Sequence, residues 1–207
     1  MFGSFGFFEI RKGQQVLTAI LLTGVILTVS FSAYFWGREI LEKSRDQREF
    51  EEMERFMRDL NKNIKEVSVR GGREEMSVDL PSDAELRIND ATAPGTDNVT
   101  LSFGVQGKMM ATGQDFAIVG TKGSEARITE DPDVIVANSI GRRDHYSVEF
   151  RLYYKNVTVE GEPDNRIGID SVGRNTAVNE RVNMIIERGS TEEYNGFTVN
   201  KVEVRIV

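Results

Sequence analysis

From Gly13 to Gly37 the chain carries no charged residue. A helix needs about 20 consecutive apolar residues to cross a bilayer, and few soluble folds bury an uncharged helix of that length. The run from Val16 to Trp36 holds Leu17, Ile20, Leu21, Leu22, Val25, Ile26, Leu27, Val29, Phe31 and Phe35, and it closes on Tyr34 and Trp36, which suit a membrane interface. Gly24 and the hydroxyl residues Thr18, Thr23, Thr28, Ser30 and Ser32 allow neighbouring helices to come close. One membrane helix over residues 14–37 is therefore the first constraint, and it precedes any soluble domain.

Residues 1–13 read as a leader, with Arg11 and Lys12 next to the apolar run. Counting flanking cations does not set the orientation, since Arg38, Lys43, Arg45 and Arg48 follow the run and outnumber those before it. Cleavage at Ser30-Phe31-Ser32 before Ala33, as in a secretory signal, would interrupt the helical pattern that continues downstream, and it ranks below cleavage before the apolar run.

Residues 38–67 predict a continuation of the same helix. Gly and Pro are absent from Arg38 to Glu66, and Phe50, Met53, Met57, Leu60, Ile64 and Val67 recur at spacings of three and four, which places them on one face. Glu39 with Lys43, Glu51 with Arg55 and Glu54 with Arg58 set acid before base four residues apart on the exposed side. Gln14 to Glu66 in one helix would span on the order of 80 Å. Gly71-Gly72 supply the backbone freedom to end it.

Beyond that turn, residues 68–207 predict a β-rich domain. Apolar residues alternate at Met76, Val78 and Leu80, at Leu86 and Ile88, and at Val99, Leu101, Phe103 and Val105. Further strands are expected at Phe116–Val119, Val134–Ile140, Tyr146–Val159, Arg181–Glu187 and Phe197–Val207, separated by Gly, Pro, Asn and Asp clusters. In the longest, Val148, Phe150, Leu152 and Tyr154 face inward while Glu149, Arg151 and Tyr153 face water. The expected class is α+β: a long N-terminal helix with a membrane half and an amphipathic half, then a mainly antiparallel β-sandwich or rolled sheet.

Composition narrows the chemistry. A net charge of −7 without a basic stripe argues against nucleic acid as a partner. The chain has no cysteine, which excludes disulfides, thiolate metal sites, thiol nucleophiles and a lipid-modified cysteine. His145, the only histidine, sits at the start of an alternating strand, where a polar edge residue is expected rather than a catalytic base. No phosphate loop, dinucleotide fingerprint or nucleophile–histidine–acid order occurs, so neither an enzyme nor a cofactor is expected. Asp131 with Asp133, and Asp164 with Asn165, lack the spaced ligand run of a calcium loop and read as turn residues. Asn98-Val99-Thr100 and Asn156-Val157-Thr158 match the N-glycosylation pattern, which makes Asn98 and Asn156 candidate acceptors.

Arg11-Lys12-Gly13 followed by Gln14-Gln15-Val16-Leu17 resembles the class III signal peptide of archaeal type IV pilins. The resemblance implies that a membrane prepilin peptidase cuts after Gly13, with Lys12 and Gly13 before the cut and Gln14 as the first mature residue. It also implies a cytoplasmic amino end, an extracellular C-terminal domain and, after cleavage, transfer of residues 14–37 from membrane lipid into a filament core made of copies of this chain or related pilins. Bacterial relatives carry a glutamate where this chain has Thr18, so their registering salt bridge is not expected here.

The leading expectation is a pilin-like subunit of a surface filament with an adhesive or structural role. The alternative is a permanent single-pass protein whose external domain binds the cell envelope or steadies a surface motor. A coiled-coil stalk through Phe50–Val67 and a membrane-anchored enzyme rank below these, Met and Phe being poor seam residues.

Overall fold

The computed structural model describes residues 6–89, 97–107, 109–120, 125–126, 132–142, 145–157, 164–194 and 197–207, with backbone alone at 6–13, 125–126, 164–165, 194 and 197. A single helix, α1 (Gly6–Arg70), is followed by β1 (Arg73–Asp79), β2 (Glu85–Asn89), β3 (Asn98–Val105), β4 (Asp115–Val119), β5 (Glu125–Ala126), β6 (Asp133–Gly141), β7 (Tyr146–Tyr154), β8 (Asn156–Val157), β9 (Asp164–Ser171), β10 (Thr176–Val178), β11 (Arg181–Tyr194) and β12 (Phe197–Ile206). The layout is the α+β arrangement that the change of period announced. The chain divides into two compact units, Met1–Arg45 and Asp46–Val207.

In the first unit α1 is helical from Gly6, ahead of the start expected at Gln14, and it passes Trp36 and Gly37 without interruption. The threonines fit this helix because each hydroxyl donates to the carbonyl one turn back. Thr18 bonds Gln14, Thr23 bonds Ala19 and Thr28 bonds Gly24, all at 2.8 Å. A hydroxyl satisfied in this way turns its methyl group outward and adds little polarity to the helix surface.

In the second unit two sheets share one core. Among the described residues the first sheet runs β1-β11-β12-β9-β8-β5 and the second β10-β2-β3-β7-β6-β4. Among the described residues these strands pair antiparallel except β12 with β9 and β5 with β8. Strict alternation in β3 sends Val99, Leu101, Phe103 and Val105 inward, and in β7 Val148, Phe150, Leu152 and Tyr154. The second part of α1 supplies Met53, Phe56, Met57, Leu60, Ile64 and Val67 to the same core, and Phe50 meets the Phe150 ring at 5.2 Å between centroids. The periodic stripe read from the sequence is this buried face, widened by Phe56. On the solvent side Arg58 pairs with Glu54 as the spacing suggested, whereas Glu51 accepts from Gln47 Nε2 at 3.0 Å.

The helix ends where the glycines stand. Gly71 and Gly72 have φ of 73° and 98°, and Gly71 N–H bonds the Val67 carbonyl at 2.9 Å, closing the last turn. Three strand expectations need correction. The segment Tyr146–Val159 is two strands, β7 and β8: Lys155 N–H still bonds the Pro132 carbonyl at 2.8 Å in the β6–β7 register, and beyond it the chain pairs with β9 in the first sheet, while residues 158–159 lie outside the described residues. β11 extends past Glu187 to Tyr194 through an irregularity between Arg188 and Thr191. β9 and β10 lie among turn-forming Asp, Asn and Gly residues whose composition concealed them.

Candidate functional site

Two features of this chain have functional content: an exposed apolar helix in the first unit and a polar anchor within the second. From Val16 to Trp36 the large hydrophobic side chains are 52–70% exposed on every side of α1. This segment is one candidate membrane span by length and composition. Exposure of that much apolar surface to water would be costly at roughly 25 cal/mol per Å², which agrees with the segment's being a candidate span.

The junction expected to be processed, Lys12-Gly13-Gln14, lies inside α1 in this structure. A peptidase reaching the Gly13–Gln14 bond must therefore open the first turns of the helix, which a glycine makes easier.

In the second unit α1 is fixed to the sheets by a buried polar cluster. Asn61 Nδ2 donates to Asp133 Oδ2 at 2.5 Å, Lys65 Nζ to Asp133 Oδ1 at 2.9 Å, and Tyr154 Oη to Asn61 Oδ1 at 2.9 Å. Asn61 and Lys65 are one turn apart on α1, Asp133 opens β6 and Tyr154 closes β7, so one helix turn is held against the paired ends of two strands. Burial alone would raise the Asp133 carboxyl, but the hydrogen bonds from Lys65 and Asn61 and the charge of Lys65 hold it below the ordinary carboxylate value. Burial, then the nearby charges of Asp133 and Asp97, push the Tyr154 hydroxyl well above its ordinary value, so it stays a neutral donor. A second buried pair, Arg166 with Asp97, lies close by, and Asp97 Oδ2 also accepts from Ile169 N–H at 2.6 Å. Burial lowers the Arg166 guanidinium and Asp97 counters it.

No family model matches the chain, and no curated protein or solved structure matches it.

The remaining sequence candidates scatter over the domain. Asn98 opens β3 on the outer face of the second sheet and is half-buried; its Oδ1 accepts from Asn89 Nδ2 at 2.8 Å and from Thr100 Oγ1 at 2.9 Å. Asn156 opens β8, half-buried, and Thr158 of its triplet lies outside the described residues. His145 is half-buried just before β7. Asp133 is not a turn residue but the buried acceptor of the cluster above, while Asp131 lies outside the described residues. Among the described residues no group of three metal-ligating side chains occurs.

Sequence reading missed Asn61, Lys65, Tyr154, Asp97 and Arg166. A signal existed for the first three. Asn61 and Lys65 each directly follow a stripe residue, Leu60 and Ile64, and Tyr154 occupies an inward strand position with a hydroxyl that needs a partner.

Proposed function

We propose that this chain is a pilin-like subunit of an archaeal type IV surface filament, inserted in the membrane as a single-pass precursor and released into the filament after cleavage behind Gly13. The observation that carries the reading is the helix from Val16 to Trp36, apolar and exposed on all sides. Such a surface is equally content with acyl chains and with copies of itself, because both replace water by hydrocarbon. The back-bonded threonines support close packing of copies because their own hydroxyls are already satisfied. The sandwich then faces outward with Asn98 and Asn156 as candidate glycan acceptors.

Amino-terminal sequencing of the protein expressed in membranes with a matching prepilin peptidase tests the reading. A chain that starts at Gln14, together with its recovery in sheared surface filaments, supports it. A chain that still starts at Met1 overturns it, and Gly13→Phe should block the cut.

One observation favours the second reading, a permanent single-pass protein acting on the cell envelope or a surface motor. Helical hydrogen bonding runs through Gly13 from Gly6, so the junction is not already open to a protease. Met1 at the amino end and absence from sheared filaments would select it.

A further inference from the structure

We propose that the outer face of the second sheet is a contact with a second copy of this chain, made by charge rows that complement themselves under a two-fold rotation. Register places Glu85, Ser102 and Glu149 side by side across β2, β3 and β7, and Arg87, Thr100 and Arg151 side by side in the adjacent row. With Asn89 and Asn98 these six residues line a shallow depression of about 360 Å³ on the solvent side, so the contact requires Asn98 to carry no glycan. All four charged side chains reach water, Arg87 at 54% and Arg151 at 48% exposure.

The rows lie two residues apart, roughly 7 Å along the strands. Within each strand an acid already meets its neighbouring base, Arg87 Nη2 with Glu85 Oε1 at 2.5 Å and Arg151 Nη2 with Glu149 Oε1 at 2.6 Å. Those contacts hold the side chains in order while using few of the five N–H donors of each guanidinium. The four charges sum to zero, so a uniformly anionic or cationic partner gains nothing from them. A favoured partner presents the same two rows in reverse order.

This chain is such a partner. A two-fold axis lying in the face and crossing the strands midway between the rows sets Glu85 against the partner's Arg87 and Glu149 against the partner's Arg151. It does the same in the opposite sense, and it lays Ser102 over the partner's Thr100. The contact is isologous, and two sheets about 10 Å apart leave the space that interleaved Glu and Arg side chains fill. Its few residues fall short of the 20–30 per side typical of stable complexes, so the contact is weak and salt-sensitive. It lies in the folded domain and does not rest on leader cleavage.

The test uses the full chain in detergent micelles, with self-association read by energy transfer between two labelled populations. Two charge-reversed variants are compared, Glu85→Arg with Glu149→Arg, and Arg87→Glu with Arg151→Glu. Each variant alone should associate roughly tenfold more weakly than the parent, and an equimolar mixture should recover it. The parent itself should weaken about tenfold between about 0.05 and about 0.5 M salt. Thermal unfolding midpoints equal to the parent's establish that the variants fold. Association untouched by the reversals, or a mixture that does not recover, overturns the proposal and assigns self-association to the apolar helix or to none. Neither outcome bears on whether the mature chain begins at Gln14.

Discussion

Leu21 and Leu60 stand in the same α-helix, yet one is 62% exposed and the other fully buried. From Val16 to Trp36 α1 carries hydrophobic side chains on all sides, and they are exposed. The part in the second unit carries them on one face, and that face is core. Both parts are helical although the second is richer in strong helix formers, and what sets them apart is the solvent each is written for. A stripe specifies a folded partner within the chain, while a uniformly apolar surface specifies a partner outside it.

Removing a core contact from the striped part should have the largest effect. Phe150→Ala deletes the ring that meets Phe50 and Phe103, and should lower the stability of the domain by about 3–5 kcal/mol in denaturant unfolding, with membrane insertion unchanged. The reciprocal change, Leu21→Arg, should disfavour insertion by about 3 kcal/mol in a membrane-partition assay and leave domain unfolding where it was. If either substitution disturbs both readouts, the two parts do not divide their work as described.

Asn61→Leu probes the join between helix and sheet. It keeps the side-chain size but leaves Asp133 and the Tyr154 hydroxyl each short of a partner, and should cost about 2–3 kcal/mol by denaturant titration. A smaller effect is expected from acid. The Asp133 carboxyl is held below its ordinary value of 3.8, so its contribution is complete above that pH and is lost as the pH falls through the folded value. Unfolding followed from neutral pH downward should show a loss of stability in that acid window, and Asp133→Asn should flatten it. Val69→Ser, at a position 78% exposed near the end of the helix, should change stability by no more than about 0.5 kcal/mol.

How much of this was legible follows from the same contrast. Hydrophobic period is a local property, so the apolar run, the stripe from Phe50 to Val67, the Gly71-Gly72 stop and the inward set of β7 could be read residue by residue. Partnerships across the fold could not. Asp133 and Asn61 are 72 positions apart, and only the pairing of β6 with β7 against α1 brings Asp133, Tyr154 and Asn61 together. β10 was hidden for a related reason. Its three residues become a strand by bonding to β2, which no local pattern announces. The leader junction is legible as a motif, but a motif does not state whether the peptidase acts on it.

Residues 1–207 hold no cysteine, which allows the most direct measurement. Single substitutions Leu21→Cys, Ile26→Cys, Leu41→Cys and Val69→Cys, placed one at a time along α1, can be exposed in intact membranes to a membrane-impermeant maleimide. The expected result is protection at 21 and 26 and labelling at 41 and 69, one helix with two solvents. Equal labelling at all four positions would contradict the division of α1 on which the proposed function depends.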